Sequence, residues 1–388
     1  MEIKLPRYIR ECIAELKAHG HTAYCVGGAV RDALLGLAPK DYDIATSALP
    51  EQVISYFPHT AATGLKHGTV TVITDLGITE ITTYRFDGSY SDSRHPESVR
   101  FTDDIREDLI RRDFTVNALA FDGETLVDVT GGVDDIKNRI IRAVGDPDTR
   151  FREDALRIMR AFRFASVLGF SIEDETREAA IRNAGLLKNI SAERIASELL
   201  GTLSGDRLSS ASDIFSCGML RFIGIGAFVP DQKLYLVPND SHLRLAAICF
   251  SCGADTESVC RKLKLSRAVS KRIKSLFDIL CKPVSSDRVT LKRMLRSVSF
   301  DDILLAATAR EALSGENLGA VKAELSGIMA SGEPYKMSEL AIDGGELEAI
   351  GFKGERVGKA LTVLLEKVTE DPSLNDRSAL TEIAKKML

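Results

Sequence analysis

The sequence predicts an α+β chain: a mixed α/β head over residues 1–145, then an all-α neck (146–204), body (205–285) and tail (286–388). Three observations carry this. As far as about residue 145, short alternating β-branched runs are punctuated by glycine turns. After Asp146-Pro147 no strand pattern is clear, and apolar residues recur at helical spacing. The chain has 388 residues, 44% of them apolar, which is ample for two to four packed domains.

Taken in order, residues 1–20 read as a helix and 22–28 as a strand entering Gly27-Gly28. A short helical stretch follows and stops at Gly36, and a β-like run holds Asp41-x-Asp43. Thr46 and Ser47 offer a cap for a helix with Pro50 in its first turn. Residues 69–74 and 78–84 alternate around Asp75-Leu76-Gly77, a hairpin signal. Residues 88–96 form a polar loop with Tyr90, Asp92, Arg94 and His95, and 104–110 look helical. A second hairpin spans 118–121 and 125–129, closed off by Gly131-Gly132. In the neck, a helix over 148–168 ends at Gly169, Ser171 caps the next, and Ser191 begins a third.

Composition excludes some classes. No apolar run approaches a membrane span and the N-terminus lacks a signal-peptide core, so a cytoplasmic location is expected. Seven cysteines at irregular spacing fit reduced thiols, and Cys249-x-x-Cys252 has no second pair to complete a zinc site. The net charge of −5 does not favour a nucleic-acid binder, but the charge is uneven. Between Arg261 and Arg296 stand twelve Lys/Arg against Asp278 and Asp287. That stretch is either a solvated helix face or a phosphate-tracking surface.

The most informative segment is Gly27-Gly28-Ala29-Val30-Arg31-Asp32, followed by Lys40-Asp41-Tyr42-Asp43-Ile44-Ala45-Thr46. Glycines let a backbone approach a phosphate, and the N–H groups opening a helix attract its charge. In a strand, residues two apart share a side, so Asp41 and Asp43 would present two carboxylates near the glycine turn. Two carboxylates beside a triphosphate suit Mg2+-assisted nucleotidyl transfer. In the 148–168 helix, at about 100° per residue, Phe151, Ala155, Ile158, Met159 and Phe162 form one stripe. Glu153, Arg157 and Arg160 fall opposite, with Asp154 and Arg163 at the margins. Asp154 and Arg157, three apart, are neighbours in such a helix. They form either a surface ion pair or a base reader. In the second case the carboxylate accepts from the exocyclic amine of cytosine or adenine and the guanidinium donates to a ring acceptor. Uracil and guanine present a carbonyl there instead.

The strings Gly-Gly-Ala-Val-Arg-Asp-x-Leu-Leu-Gly and Pro-Lys-Asp-x-Asp-Ile-Ala-Thr resemble the bacterial class II tRNA nucleotidyltransferases, the CCA-adding enzymes and their poly(A) polymerase relatives. Glu153-Asp154-Ala155-Leu156-Arg157 is similar to the family's amino-acid template motif, and Arg111-Arg112-Asp113-Phe114-Thr115-Val116-Asn117-Ala118 to its sugar-recognition motif. Ser191-Ala192-Glu193-Arg194-Ile195 resembles its last neck motif, a cap and buttress for the template helix. The likeness is strong over 22–200, weak over the body, and returns faintly from Gly344 to Lys359.

This resemblance implies a polymerase-beta-like nucleotidyltransferase head and a helical RNA-binding body and tail. The activity implied is template-independent addition of CCA to the tRNA 3′ end from CTP and ATP with Mg2+. Asp41 and Asp43 would hold the metal, and Gly28, Arg31 and Arg112 the phosphates. Asp113 and Asn117 would meet the ribose, and Asp154, Arg157, Arg160 and Arg163 would serve the nucleotide. Glu80 is a candidate third acid. CC-only, A-only or poly(A) products are the nearer alternatives, and a silent RNA-binding protein the distant one. The approach at Leu243–Ile248 leads to Cys249-Phe250-Ser251-Cys252 where phosphohydrolase relatives carry a His-Asp pair, so no such activity is expected.

Overall fold

The computed structural model describes residues 3–87 and 99–388, so Tyr90, Asp92, Arg94 and His95 lie outside the described residues. The chain divides into two compact units, Met1–Val229 with Lys262–Lys264 and Pro230–Arg261 with Leu265–Leu388.

The first unit is built on a seven-stranded mixed sheet. α1 (Arg7–Ala18) turns Ile9, Cys12, Ile13 and Leu16 inward. β1 (Ala23–Val26), α2 (Gly28–Leu34), β2 (Asp43–Thr46) and α3 (Pro50–Tyr56) follow. Next come β3 (Thr60–Gly64), β4 (Thr69–Thr74) and β5 (Gly77–Thr83). β6 (Arg85–Asp87) pairs with β7 (Val99–Phe101) as a separate ribbon, ahead of α4 (Ile105–Ile110). β8 (Leu119–Phe121) and β9 (Leu126–Asp128) complete the sheet, whose order is β3-β4-β5-β2-β1-β8-β9. Its pairs are antiparallel except β2 with β5, which run parallel. Val26, Ala45, Tyr84, Leu109, Ala118 and Ala120 form a core on one side.

Both hairpins lie where alternation placed them. β3 was not legible, because Thr-Ala-Ala-Thr-Gly has no apolar alternation to signal a strand. The cap of α3 also differs from expectation. Thr46 and Ser47 do not cap it; the residue before the helix is Leu49, whose N–H donates to Gln52 Oε1 at 2.8 Å. The Thr46 hydroxyl donates to the Thr22 carbonyl at 2.8 Å, tying β2 to the start of β1.

After α5 (Gly132–Asn138) and β10 (Ile140–Ile141) the chain becomes helical. The expected continuous 148–168 helix is two helices, α6 (Pro147–Glu153) and α7 (Leu156–Leu168). Asp154 between them is extended, with φ −139° and ψ 103°. Its Oδ1 accepts from the Leu156 N–H at 3.0 Å, so the side chain competes with the helical ladder and restarts it. The apolar stripe survives the break: Phe151, Ala155, Ile158, Met159 and Phe162 are fully buried. Gly169 ends α7 in the left-handed region at φ 68°. Ser171 is not a cap but part of β11 (Ser171–Ile172), which pairs with β10. Glu173 caps α8 (Asp174–Asn183), its carboxylate accepting from the Thr176 N–H. Ser191 precedes α9 (Ala192–Leu203), and α10 (Asp213–Ser216) follows.

The second unit is helical. α11 (Ser241–Cys252) and α12 (Thr256–Lys262) are followed by α13 (Arg267–Cys281) and α14 (Arg288–Leu295). α15 (Phe300–Ser314) and α16 (Gly319–Ser331) come next. α17 (Gly344–Ile350), α18 (Glu355–Glu370) and α19 (Arg377–Lys385) share a core of Leu347, Phe352, Leu364, Val368 and Leu380. All seven cysteines are free thiols. Among the described residues no helix is long and apolar enough to cross a membrane.

Most of the basic stretch is spent in ion pairs within the chain. Arg272 pairs with Asp240 and Asp302, and Lys274 with Asp278. Arg288 pairs with Glu324 and Glu333, and Arg293 and Arg296 with Glu366. Lys292 is 1% exposed and its ammonium meets Glu333. Arg288 and then Lys292 hold the Glu333 carboxyl down to about 2, against the opposing effect of burial.

Because that folded-state pKa lies below the unfolded value of about 4.3, the pairing is fully stabilising above that pH and is lost as pH falls toward 2. Glu333→Ala leaves a buried ammonium unpaired and should cost about 3–5 kcal/mol. Adding Lys292→Met should recover much of it. Urea midpoints at pH 7 and pH 3 check this, and a wild-type midpoint in Glu333→Ala would show the pair to be idle.

Candidate active site

All eleven sequence-predicted site residues line one cleft of about 960 Å³ in the first unit. Glu80, Phe164 and Arg194 line it too.

Two of the acids, Asp43 and Glu80, lie on the sheet. Strand pairing begins at Asp43, so Asp41 precedes β2 and is not aligned by strand alternation as expected. The residue beside Asp43 is Glu80, its direct partner in the parallel β2–β5 pair. The Asp43 carboxyl is raised above its usual range. Crowding by surrounding protein is the largest cause, followed by Glu80; Asp41 adds to it and Arg112 opposes it. Asp43 still reaches solvent, so this is partial desolvation within an open cleft. A carboxylate raised in this way by its acidic neighbours is relieved by a divalent cation. Among the described residues no three His, Cys, Asp or Glu side chains converge as a complete metal site. A cation sharing its coordination with phosphate oxygens needs only one or two carboxylates.

The glycine turn follows β1, whose last residue, Val26, pairs with Asp43. Gly27 has φ 72° and ψ −132°, a conformation essentially reserved for glycine, and a Cβ there would lie 3.1 Å from Arg112 Nη1. Arg31 is 8% exposed. Its Nη1 donates to Asn117 Oδ1 at 2.6 Å and its Nε and Nη2 to Asp32 Oδ1. Asn117 Nδ2 donates to Asp113 Oδ1 at 3.1 Å, and Arg160 Nε to Asp113 Oδ2 at 2.7 Å. Burial pushes Asp113 up, but Arg160 and Asn117 outweigh it and hold the carboxyl at about 2. Arg111 and Arg112 both pair with the fully buried Asp108, which fixes Arg112 beside the acids.

Asp154 and Arg157 do not form the ion pair that a continuous helix implied. Asp154 Oδ2 accepts from Arg194 Nη2 of α9 at 3.0 Å. Arg157 Nη1 donates to Glu153 Oε2 at 2.6 Å and to the Arg150 carbonyl, and Nη2 to the Arg111 carbonyl. A guanidinium has five N–H groups, so among the described residues Nε–H and one Nη2–H of Arg157 remain. Each Asp154 oxygen likewise keeps accepting capacity. Arg163 Nε lies 2.7 Å from Glu198 Oε2, close but not aligned as a hydrogen bond.

Sequence reading missed the supports of this site. Arg194 lay inside a quoted motif but its partner did not show, because Asp154 is 40 residues away. Glu198 follows Arg194 by four residues, so a shared helix face was available as a signal. Asp108 precedes Arg111 and Arg112 by three and four residues, the same signal.

Three family profiles match the chain: the poly A polymerase head domain over residues 23–142, the probable RNA and SrmB-binding site of polymerase A over 169–223, and tRNA nucleotidyltransferase domain 2 over 238–384. The CCA-adding enzyme of Geobacillus stearothermophilus is 37% identical over 95% of this chain and 94% of its own length. That of Limosilactobacillus fermentum is 37% identical over 98% and 96%. A crystal structure of the Bacillus stearothermophilus CCA-adding enzyme in complex with CTP matches at TM-score 0.80 and 35% identity, covering 97% of this chain and 96% of that one. The Thermotoga maritima CCA-adding enzyme complexed with tRNA shares the fold, at TM-score 0.68 and 23% identity over 100% of this chain and 97% of that one. With a nucleotidyltransferase head, an acid-lined cleft and near full-length likeness, the chain belongs to the bacterial class II CCA-adding enzymes, metal-dependent tRNA nucleotidyltransferases.

Proposed function

We propose that this chain adds CCA to the 3′ end of tRNA from CTP and ATP without a nucleic-acid template, and that the cleft of the first unit is where it does so. The observation that carries the reading is convergence. Asp41 and Asp43, the glycine turn, and the Asp154–Arg157 segment border one cleft although the last lies more than a hundred residues beyond the others. The likeness to CCA-adding enzymes over nearly the whole chain favours this over CC-only, A-only or poly(A) products and over a silent RNA binder.

Each residue has a part. Gly28 and Arg31 hold phosphates, joined by Arg112. Asp113, ionised and anchored by Arg160 and Asn117, accepts from a ribose hydroxyl and so favours ribonucleotides. Asp154 accepts from the exocyclic amine of cytosine or adenine, and the remaining N–H groups of Arg157 donate to the ring acceptor beside it. Arg163, paired with Glu198, supports the nucleotide from the same helix. Asp41 and Asp43, with Glu80 beside them, are the ligands for Mg2+. Held there, such an ion would lower the pKa of the attacking ribose hydroxyl and offset charge on the triphosphate.

In this reading residues 1–145 are the catalytic head and 146–204 the neck. The body (205–285) and tail (286–388) grip the tRNA by shape and backbone charge. Arg261, Lys262, Arg267 and Lys271 are exposed, and none is in an ion pair among the described residues, so they are the basic-stretch residues proposed to meet phosphates. A tRNA substrate agrees with a cytoplasmic location.

Asp41→Ala and Asp43→Ala should each abolish CMP and AMP incorporation and leave tRNA binding near wild type, because the lost charge stabilisation belongs to the transition state. Product sizing on tRNA lacking its 3′ end tests this, and near-normal turnover with Mg2+ as the only metal would refute the assignment. Asp154→Ala should lower discrimination against UTP and GTP by removing the carboxylate that opposes their carbonyls. Arg194→Ala should act in the same direction but more weakly, by freeing that carboxylate to turn. Comparing kcat/KM for the four nucleotides checks both. Unchanged preference in Asp154→Ala would place base reading elsewhere. Replacing Arg261, Arg267 and Lys271 with Ala should raise the KM for tRNA and flatten its salt dependence, with the KM for CTP unmoved. An unaltered salt slope would make this surface a solvated face.

A further inference from the structure

Phe164 has no part in the chemistry described so far. It lies in α7, four residues after Arg160 and directly after Arg163, and is 8% exposed on the cleft wall. Three guanidiniums stand over its ring: Arg163 at 4.8 Å from the centroid, and Arg31 and Arg160 at 5.2 Å each. Phe114 meets it at 5.8 Å with the rings inclined at 80°. With these four neighbours the ring is committed within the protein and is not a platform for a base.

Gathering three like charges around one side chain is unfavourable by itself. Burial pulls the Arg163 guanidinium below its usual range, with Arg160 and Arg31 adding to this and Glu198 opposing it. Carboxylates offset this charge in pairs, and none of them spans all three. Asp32 serves Arg31, Asp113 serves Arg160, and Glu198 is shared by Arg160 at 3.7 Å and Arg163 at 2.7 Å. What the three have in common is the face of a phenyl ring, whose negative quadrupole attracts each of them.

We propose that Phe164 is a positioning residue, its ring holding Arg31, Arg160 and Arg163 together as one cationic seat for a polyphosphate before the ligand arrives. The ligand class is an anion of contiguous phosphates, as at the end of a nucleoside triphosphate. The proposal rests on the reading of this cleft as the nucleotide site. Affinity follows from preorganisation: a seat assembled in advance spares the ligand the cost of collecting mobile guanidiniums. Arg31 comes from α2 and the other two from α7, so the ring also joins the glycine turn to the helix that follows Asp154.

The test uses inorganic tripolyphosphate, whose binding to the full chain is measured by calorimetry and needs no catalysis. Phe164→Leu keeps an apolar filling and removes the quadrupole. It should weaken tripolyphosphate binding about tenfold, a factor within reach of desolvated cation–π contacts. The KM for CTP and for ATP should rise by the same factor. The KM for tRNA and the preference for C and A over U and G should not move. Phe164→Tyr, which keeps the ring, should bind tripolyphosphate as wild type does.

Because leucine also alters packing, a second series replaces Phe164 with mono-, di- and pentafluorophenylalanine, which retain the shape while draining the quadrupole. Affinity for tripolyphosphate should fall stepwise along that series. A flat series, or a Phe164→Leu chain that binds tripolyphosphate as wild type does, overturns the proposal. So does a selective change in base preference, which would make the ring a base contact. A wild-type chain that binds tripolyphosphate yet transfers neither nucleotide would refute the nucleotidyl-transfer reading alone, since the fluorination series reads the seat without turnover.

Discussion

Crowding of like charge is the constraint around which the first unit is arranged. Carboxylates gather at the start of β2 and on β5, and guanidiniums gather on α2, α7 and α9. Neither cluster is favourable alone, since desolvated like charges repel. Each is made tolerable by residues that hold rather than react. Asp108 is fully buried and takes two arginines, Asp113 sits between Asn117 and Arg160, and Glu198 stands by Arg160 and Arg163. The result is a cleft with separated surpluses of both signs, suited to a ligand that brings cations and polyphosphate together.

The break at Asp154 follows the same logic. A continuous helix would have kept the backbone ladder intact but fixed Asp154 within a regular turn. Restarting the helix at Leu156 costs ladder hydrogen bonds and returns one to the Asp154 side chain. It also turns that carboxylate toward Arg194, which ties the segment to α9. Arg157 is then held by Glu153 and by two carbonyls, of Arg150 and Arg111. In the base-reading role proposed for Asp154 and Arg157, a pair gains accuracy when each member is fixed by groups other than its partner, because neither has to find the other first.

Legibility in the sequence followed distance along the chain. The glycine turn and the Asp-x-Asp lie within about a dozen residues, so local pattern sufficed for them. Helices and hairpins with clear periodicity were likewise readable. The break at Asp154 was not, because Phe151, Ala155 and Ile158 stay buried whether the helix is continuous or restarted. β3 carries no alternation. The Glu80 position needs the non-local β2–β5 pairing. The fate of the basic stretch was hidden for the same reason: the acids that neutralise Arg288, Arg293 and Arg296 lie at positions 324, 333 and 366. A run of positive charge in sequence says nothing about negative charge that folding brings to it.

The parallel pairing of β2 with β5 has a consequence for fidelity of folding itself. Asp43 faces Glu80 only in the register that also places Ile44 beside Ile81, both fully buried. A slip of one residue would set Ile44 beside Glu80 and turn β2 over relative to its neighbour, carrying the Asp43 carboxylate to the side on which Ile44 is buried. That misalignment forces a carboxylate toward the apolar interior, so it is penalised long before any substrate is present. The alignment of two acids in the cleft is therefore guarded by two isoleucines beneath it, and proofreading of their placement is delegated to the hydrophobic core.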